Sequence, residues 1–136
     1  ADPKQIEKLR KVRKNVINCA VGNYDGKVRI EFHRYPELSR ISQSGKDEVS
    51  IFKLSTFMQT HGIEKIDLLS VDVEGQDLEV LKGLPAMKKE FAPKIIIIEY
   101  ISHVYGDRSE QIEAYFKDKD YKVIHKTQSN LIFKHK

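Results

Sequence analysis

Apolar residues change their spacing several times along the chain, and each spacing predicts a different element. Between residues 6 and 16 they recur at helical intervals, behind the helix-start signal Asp2-Pro3. Between residues 28 and 32 they alternate with charged residues, which is typical of a half-exposed strand. The run Ile95–Ile98 is continuous and β-branched, as expected of a strand covered on both faces. This mixture of patterns predicts an α/β fold.

The most informative stretch runs from Ile66 to Gly83, with the sequence IDLLSVDVEGQDLEVLKG. An apolar run breaks at Gly75 and continues with leucines at helical spacing, which predicts a buried strand, a tight turn and a helix. Asp72 and Glu74 then fall at the carboxyl end of the strand, the edge at which open parallel sheets bind ligands. Alternatively, both carboxylates only cap the helix, whose first N–H groups favour an anion. One carboxylate suffices for a cap, however, and here there are two.

The segment from His33 to Val49 has no regular apolar period and contains Pro36 and Gly45. We therefore predict a long loop here, with 34–48 as the least ordered internal segment and a role in covering the acceptor. We also predict that the strands near 16–21, 66–72 and 94–99 are parallel, with right-handed crossovers. The remaining predicted elements are a helix at 55–61 capped by Ser55, a helix with a capping box at Asp107 and Glu110, and an antiparallel pair near 120–125 and 130–134.

Composition limits the classes of function. A chain of 136 residues is one domain by size. The net charge is +4, but the basic residues are spread along the chain, so no nucleic-acid partner is expected. No apolar run is long enough to span a membrane, and no signal peptide is visible, so a cytoplasmic location is expected. The single Cys19 excludes an internal disulfide and a cysteine-based zinc site. The sequence does not indicate an oligomeric state.

The stretch from Ile66 to Gly83 resembles the signature segment of the FkbM family of S-adenosylmethionine-dependent methyltransferases. In that family an apolar strand runs into an Asp-x-Glu-Gly turn and a Glu/Asp-x-x-x-Leu-x-Gly helix. The Ser-Thr-Phe helix before this stretch and the strand at 94–100 after it match the family's order, so the resemblance covers nearly all of the chain. It implies a Rossmann-like class I methyltransferase sheet, mostly parallel with a C-terminal antiparallel hairpin. It also implies S-adenosylmethionine as cofactor and an oxygen of a small molecule or sugar as methyl acceptor.

One part of the family pattern is missing. Such methyltransferases bind the cofactor with a first strand and a glycine-rich turn, and this sequence has no such turn near its start. We therefore expect 1–136 to be a single FkbM-like domain that is incomplete at its N-terminus. The absent strands would lie between the strands at 16–21 and 66–71 and would leave a gap in the sheet. The alternative is that the strands have rearranged. The alternative function is a non-catalytic remnant of the fold that binds a protein partner.

Within this resemblance, the candidate site residues come from the ends of neighbouring strands. Carboxylates stabilise the cationic sulfonium of the cofactor by charge. Methyl transfer to oxygen also requires loss of a proton, which a carboxylate or a histidine could accept. The predicted residues are catalytic Asp72, Glu74 and His103, cofactor-binding Cys19, Ala20, Val21 and Asp72, and substrate-binding Glu99 and Tyr100.

Each candidate also has a simpler explanation. His103 can be an ordinary loop histidine, and Glu99 a charge that simply reaches solvent. Ala20 and Val21 can be plain core, as can Cys19, which has no histidine or basic neighbour adjacent in sequence. Two carboxylates at the spacing found after the central strand are too common to indicate a metal ion, so no metal is predicted.

Overall fold

The computed structural model describes residues 3–35, 39–84, 92–102 and 105–136. Within these ranges the helices are α1 Pro3–Arg10, α2 Leu54–Thr60, α3 Asp77–Lys82 and α4 Ser109–Phe116. The strands are β1 Ala20–Gly22, β2 Gly26–Glu31, β3 Arg40–Ile41, β4 Asp47–Lys53, β5 Leu68–Val71, β6 Ile95–Glu99, β7 Ile101–Ser102, β8 Gly106–Asp107, β9 Tyr121–Lys126 and β10 Asn130–His135. No helix in the described parts of the chain is long and apolar enough to cross a membrane.

The longer strands form two separate mixed sheets. The first sheet has the order β1-β4-β2-β3 and the second has the order β5-β6-β10-β9, while β7 and β8 form a short pair of their own. In each four-stranded sheet one pair is parallel, β1 with β4 and β5 with β6, and the other pairs are antiparallel. The predicted α/β class, the parallel β5–β6 pair and the antiparallel β9–β10 pair are therefore confirmed. The prediction of one mostly parallel sheet is wrong.

The predicted strand at 16–21 does not join the strands of the central unit. β1 begins only at Ala20 and pairs in parallel with β4, so that Ala20 lies opposite Ile51 and Gly22 opposite Lys53. β1 and β5 are each an edge strand of their own sheet. Within the described residues no strand pairing connects β1 to β5, which is where the sequence predicted a gap in the sheet. The sequence did not reveal that β1 would pair with β4 instead, because it gave no strand signal for 47–53.

The prediction of a long loop from His33 to Val49 is also wrong. β4 pairs antiparallel with β2 from Asp47 onward, and Arg40–Ile41 pairs with the end of β2. The apolar alternation of β4 is limited to Val49 and Ile51, and only Ile51 is fully buried, so the pattern is too short to reveal the strand. Its neighbours on both sides stabilise it instead. Pro36, Glu37 and Leu38 lie outside the described residues.

The second sheet carries the main hydrophobic core. α3 and α4 supply buried side chains that pack with those of β5, β6 and β10. Ile96 and Ile98 are completely buried, whereas Ile95 and Ile97 are only partly buried. The prediction that this strand is fully covered on both faces is therefore wrong for one face. The buried members of the main core are Val71, Val80, Leu81, Ile96, Ile98, Tyr100, Ile112, Phe116, Leu131 and Phe133.

The first helix is shorter than its apolar pattern suggested. α1 ends at Arg10 and buries Ile6, while Leu9 and Val12 remain exposed. A helix of eight residues presents too few turns to bury the whole predicted stripe. The predicted cap, Asp2, lies outside the described residues.

A close contact of two backbones joins the two sheets. A Cβ atom added to Gly83 would lie only 2.1 Å from the carbonyl oxygen of Gly22 at the end of β1. The carbonyl oxygen of Gly83 accepts the N–H of Ser55 at 2.9 Å, at the start of α2. Ser55 therefore does not cap α2 as predicted, since the helix begins at Leu54 without a side-chain cap. Gly83 is required here because only a residue without a side chain permits this approach.

Candidate functional site

The turn between β5 and α3 has an uncommon backbone. Glu74 has a φ of 53° and Gly75 a φ of 93°, so both central residues are left-handed, as type I′ turns require. The N–H of Gln76 donates to the carbonyl oxygen of Val73 at 3.4 Å and closes the turn. A left-handed conformation costs glutamate about 1–2 kcal/mol, so surrounding contacts must hold it.

Asp77 supplies part of that support. Its Oδ1 accepts the N–H of Val73 at 3.2 Å, and its Oδ2 accepts the N–H of Gly75 at 2.9 Å. The residue is only 3% exposed, and this burial raises the pKa of Asp77, as does the charge of Asp72, while the backbone hydrogen bonds oppose the rise. Asp77 was not among the residues predicted from the sequence, where Asp72 and Glu74 were the candidate caps of the helix. Its position two residues after the turn glycine was the signal, because an aspartate commonly accepts nearby backbone N–H groups.

Three carboxylates meet where β5 and β6 end. Val71 lies opposite Ile98 in the parallel pair, so the residues that follow these strands reach the same edge of the sheet. One oxygen from each of Asp72, Glu74 and Glu99 lies within 4.8 Å of the others. Like charges this close are stabilised by a proton, a hydrogen-bond donor or a cation. The set also has the oxygen ligands that a divalent metal ion prefers, although acidic groups of this kind are common without one.

An inner cavity of about 300 Å³ opens beside these carboxylates, between the two sheets. Cys19, Ala20 and Val21 line it from β1, and Asp72 and Glu74 line it from the turn after β5. The structure thus brings together all four predicted cofactor-binding residues. Burial raises the pKa of the Cys19 thiol, which therefore stays protonated and is a poor nucleophile. The remaining lining residues are Ile30, Phe32, Ser39, Arg40, Ile41, Val73, Gln76 and Tyr105.

An outer pocket of about 400 Å³ lies against the inner cavity and was not predicted from the sequence. Gln76 and Tyr105 line both spaces, and the Gln76 side-chain amide donates to the Tyr105 hydroxyl at 3.2 Å. No local pattern could have revealed this pocket, because its residues come from α3 and from the segment around β8 and α4. The outer pocket is lined by Gln76, Glu79, Tyr105, Asp107, Arg108 and Gln111.

The other predicted site residues lie elsewhere. Tyr100 is buried, and its hydroxyl donates to the carbonyl oxygens of Thr127 and Gln128 at 3.1 and 3.0 Å, so it anchors the turn between β9 and β10. Tyr100 lines neither the inner cavity nor the outer pocket. His103 lies outside the described residues. The chemical roles assigned to all of these residues stay predictions.

Comparison with known proteins gives a consistent result. The family model described as "Methyltransferase FkbM domain" matches residues 1–123. A curated relative, "Methyltransferase sdnD" of Sordaria araneosa, is 32% identical over 123 residues. The match covers 89% of this chain and 43% of the relative, so the chain spans less than half the length of that protein. No solved structure matches the chain.

Proposed function

Because the chain belongs to the methyltransferase FkbM domain family, we propose that the protein is an S-adenosylmethionine-dependent methyltransferase that methylates an oxygen of a small molecule or sugar. The observation that carries this proposal is the inner cavity with its carboxylates at the shared end of two parallel strands. Ligands of α/β sheets bind at this edge. The proposed architecture is a Rossmann-like fold in which β5, α3 and β6 form a parallel unit and β9 and β10 an antiparallel end.

The inner cavity fits the chemistry of this cofactor. Its volume of about 300 Å³ falls at the lower end of the range for small-molecule sites. Ala20, Val21 and Val73 offer an apolar wall for a flat heterocycle, while Asp72 and Glu74 offer negative charge for a sulfonium. When bound, S-adenosylmethionine supplies an electrophilic methyl group. The carboxylates hold the cationic cofactor more tightly than its neutral product, which favours product release.

Asp72 is the residue that we assign to proton transfer. It is the most exposed of the three clustered carboxylates and lines the inner cavity. From this position it would accept the proton of the acceptor hydroxyl, so that the oxygen gains nucleophilic character. Glu74 and Glu99 lie close to Asp72, so the three carboxylates together place negative charge beside the inner cavity.

The outer pocket supports a sugar or other polyhydroxylated acceptor. It combines the ring of Tyr105 with acidic, amide and guanidinium side chains, including Glu79, Arg108 and Gln111. Guanidinium groups donate hydrogen bonds to hydroxyl groups, carboxylates accept them, and amides do both. An aromatic ring can also pack against the apolar face of a sugar. Because Gln76 and Tyr105 line both spaces, an acceptor in the outer pocket would lie next to the inner cavity.

A second candidate function is binding of a protein partner without catalysis. β5 is an edge strand, and Leu68 on it is 57% exposed. An edge strand with an exposed apolar side chain can pair with an extended segment of another chain. Under this alternative the inner cavity would have no affinity for the cofactor or its product.

Calorimetric titration separates these two functions. S-adenosylhomocysteine would be titrated into this chain and into an N-terminally extended form. Saturable binding to either form that weakens when Ala20 is replaced by Leu, which would fill the apolar wall, supports the methyltransferase. Absence of heat in both forms would favour the protein-binding alternative.

Substitution of Asp72 tests its assigned role. Asp72→Asn keeps the size and hydrogen-bonding capacity of the side chain but removes its charge. In the full natural chain we expect turnover to fall by about 10²-fold or more with little change in melting temperature, the usual scale for losing a general base. A methyl-transfer assay and thermal melting on the same preparation measure both effects.

Asp67→Asn is the matched control. Asp67 precedes β5 at its opposite end, where it pairs with Lys94 at 2.8 Å and Lys65 at 3.3 Å on the surface. This control removes one carboxylate charge far from the inner cavity and should leave turnover unchanged. If the Asp72 variant melts much earlier but keeps its turnover per folded molecule, Asp72 is structural and Glu74 becomes the residue to test.

A further inference from the structure

We propose that Asp77 and Arg108 are positioning residues that hold the turn 73–76 from two sides and thereby aim Asp72 and Glu74 at the inner cavity. The link to turnover rests on the proposed function, whereas the link to the geometry of the turn does not. Neither side chain lines the inner cavity. Asp77 also does not line the outer pocket, so any effect of Asp77 on turnover must pass through the turn.

Asp77 fixes the backbone on either side of Glu74. Its two oxygens accept the N–H groups of Val73 and Gly75, which are the residues immediately before and after Glu74. For two alternate N–H groups to reach one carboxylate, the chain must bend sharply at the residue between them. Glu74 has the left-handed φ of 53° that this bend produces. An asparagine could accept only one of the two hydrogen bonds, because its second terminal atom is a donor.

Arg108 holds the same turn from the other side. Its guanidinium donates to the carbonyl oxygen of Gly75, so Asp77 and Arg108 together bind both polar backbone groups of that residue. The guanidinium is itself fixed by Gln111, whose side-chain oxygen accepts from Nε at 3.2 Å and from Nη2 at 3.0 Å. The N–H of Arg108 donates to the carbonyl oxygen of Tyr100 at 2.8 Å. Arg108 therefore ties the turn after β5 to the residue that follows β6.

This connection explains how the carboxylates keep their spacing. Asp72 and Glu74 lie on the turn that follows β5, while Glu99 is the last residue of β6, so the turn could otherwise move relative to Glu99. Tyr105 closes the remaining side of the turn, since a Cβ atom added to Gly75 would lie 2.2 Å from Cδ2 of that ring. With both polar groups of Gly75 bound and its α-carbon covered, the turn has no alternative conformation available without breaking these contacts.

The test replaces Asp77 by Asn and by Glu. Asp77→Asn removes one of the two accepted hydrogen bonds, and Asp77→Glu keeps a carboxylate with two acceptor oxygens. Tyr121→Phe is the control for general stability, because it removes a partly buried hydrogen bond, from the Tyr121 hydroxyl to the carbonyl oxygen of Pro93 at 2.7 Å, far from the turn. The readouts are amide hydrogen exchange of Val73 and Gly75, affinity for S-adenosylhomocysteine, and kcat and KM in the full natural chain.

We expect Asp77→Asn to accelerate exchange of the Val73 or the Gly75 amide, whichever loses its acceptor, by about tenfold or more, while Tyr121→Phe leaves both unchanged. The asparagine variant should lower kcat by about 10²-fold with a smaller change in KM, the scale of a misplaced catalytic group. Asp77→Glu should restore most of both losses. Unchanged exchange of both amides in Asp77→Asn, or unchanged kcat in a variant with faster exchange, would overturn the proposal.

Different results would refute the proposed function and the proposed role of Asp77. A wild-type protein that neither binds S-adenosylhomocysteine nor transfers methyl groups would refute the methyltransferase assignment. The exchange of the Val73 and Gly75 amides would still decide whether Asp77 holds the turn, because that measurement needs no ligand. Should the asparagine variant fold too poorly to assay, Arg108→Lys provides the second measurement, as it keeps the charge but loses the planar fork that reaches both Gly75 and Gln111. Faster Gly75 exchange in that variant supports the proposal, and unchanged exchange overturns it.

Discussion

The two sheets of this protein differ in how they are stabilised. Among the described residues, the sheet β5-β6-β10-β9 packs against α3 and α4 and shares ten buried core residues with them. Within the same described ranges, the sheet β1-β4-β2-β3 has a separate core of three buried residues, Val28, Ile30 and Ile51. Since burial of apolar area is the main source of stability, the larger core makes its sheet the scaffold. The smaller sheet depends on being docked to it.

This difference bears on the site, because the inner cavity has one wall from each sheet. Asp72 and Glu74 extend from the well-packed sheet, whereas Cys19, Ala20 and Val21 belong to the weakly packed one. Chemistry placed on rigid elements keeps its geometry, while a wall on a less stable element can adapt to a ligand. We therefore expect the carboxylates to be well positioned in the free protein, and the apolar wall to lose mobility when a ligand binds.

The largest effect is expected from the main core. Phe133 is 1% exposed and packs with its ring centroid 4.1 Å from that of Phe116. Phe133→Ala should lower the free energy of unfolding by about 3–5 kcal/mol, because it removes a large buried ring and leaves a cavity. Denaturant unfolding measures the change. A loss below about 1 kcal/mol would show that this sheet is not the scaffold.

A similar deletion in the smaller core should act more locally. Ile51 is 2% exposed and lies in the middle of β4, between β1 and β2. Ile51→Ala should lower the free energy of unfolding by about 2–4 kcal/mol. In hydrogen exchange, amides of β1, β2 and β4 should lose protection while those of β6 and β10 keep it. Equal losses of amide protection in both sheets would mean that the molecule unfolds as one unit and that the two sheets do not differ in stability.

The junction between the sheets provides the next test. Gly83→Ala places a Cβ atom against the carbonyl oxygen of Gly22, although the φ of −80° at Gly83 suits any residue. The added atom would push the two sheets apart, and we expect the free energy of unfolding to fall by about 1–3 kcal/mol. Ligand binding should also weaken, because the inner cavity has a wall from each sheet. Gly62→Ala is the control, since its added Cβ meets no atom within 4 Å and only the left-handed φ of 62° is unfavourable. A control that weakens ligand binding as much as Gly83→Ala would argue against docking through Gly83.

The smallest expected effect is pH-dependent and belongs to the smaller sheet. The carboxylate of Asp25 accepts the N–H of Lys53 at 2.9 Å and the hydroxyl of Thr56 at 2.9 Å, at the boundary of β4 and α2. These bonds, first of all the one from the Lys53 backbone, hold the pKa of Asp25 below its ordinary value. A lowered folded-state pKa contributes stability above the ordinary pKa, and this stability is lost as the pH falls through the folded-state value.

Asp25→Asn should therefore reduce the melting temperature slightly at neutral pH, and the difference from the wild type should shrink as the pH falls below the ordinary aspartate pKa of about 4. Asp47→Asn, at the start of β4, serves as the control for loss of a surface charge on the same strand. Melting curves across this pH range measure the effect. A difference that grows as the pH falls would have the wrong sign and would contradict the assignment.

Part of the site was predictable from local sequence. Asp72 and Glu74 follow a buried apolar run directly, so their place at a strand end needed no knowledge of the rest of the fold. The same reasoning placed Glu99 at the end of its strand, and the parallel pairing of β5 with β6 then brought it to the same edge. Tyr100 illustrates the limit of such reasoning. It is the residue after Glu99, but its hydroxyl donates to carbonyl oxygens of the turn between β9 and β10. No local sequence pattern indicates this contact.

The amino-acid sequence by itself determined the elements whose side chains carry a clear period. These are the unit from β5 through α3 to β6 and the closing hairpin of β9 and β10, because burial on one face or stripe leaves its mark on neighbouring residues. Only the tertiary structure decided that 47–53 is a strand, that Arg108 binds the carbonyl oxygen of Gly75, and that Gln76 and Tyr105 line two adjoining cavities. Each of these depends on partners distant in sequence, and the backbone groups and packed surfaces involved have no periodic signature of their own.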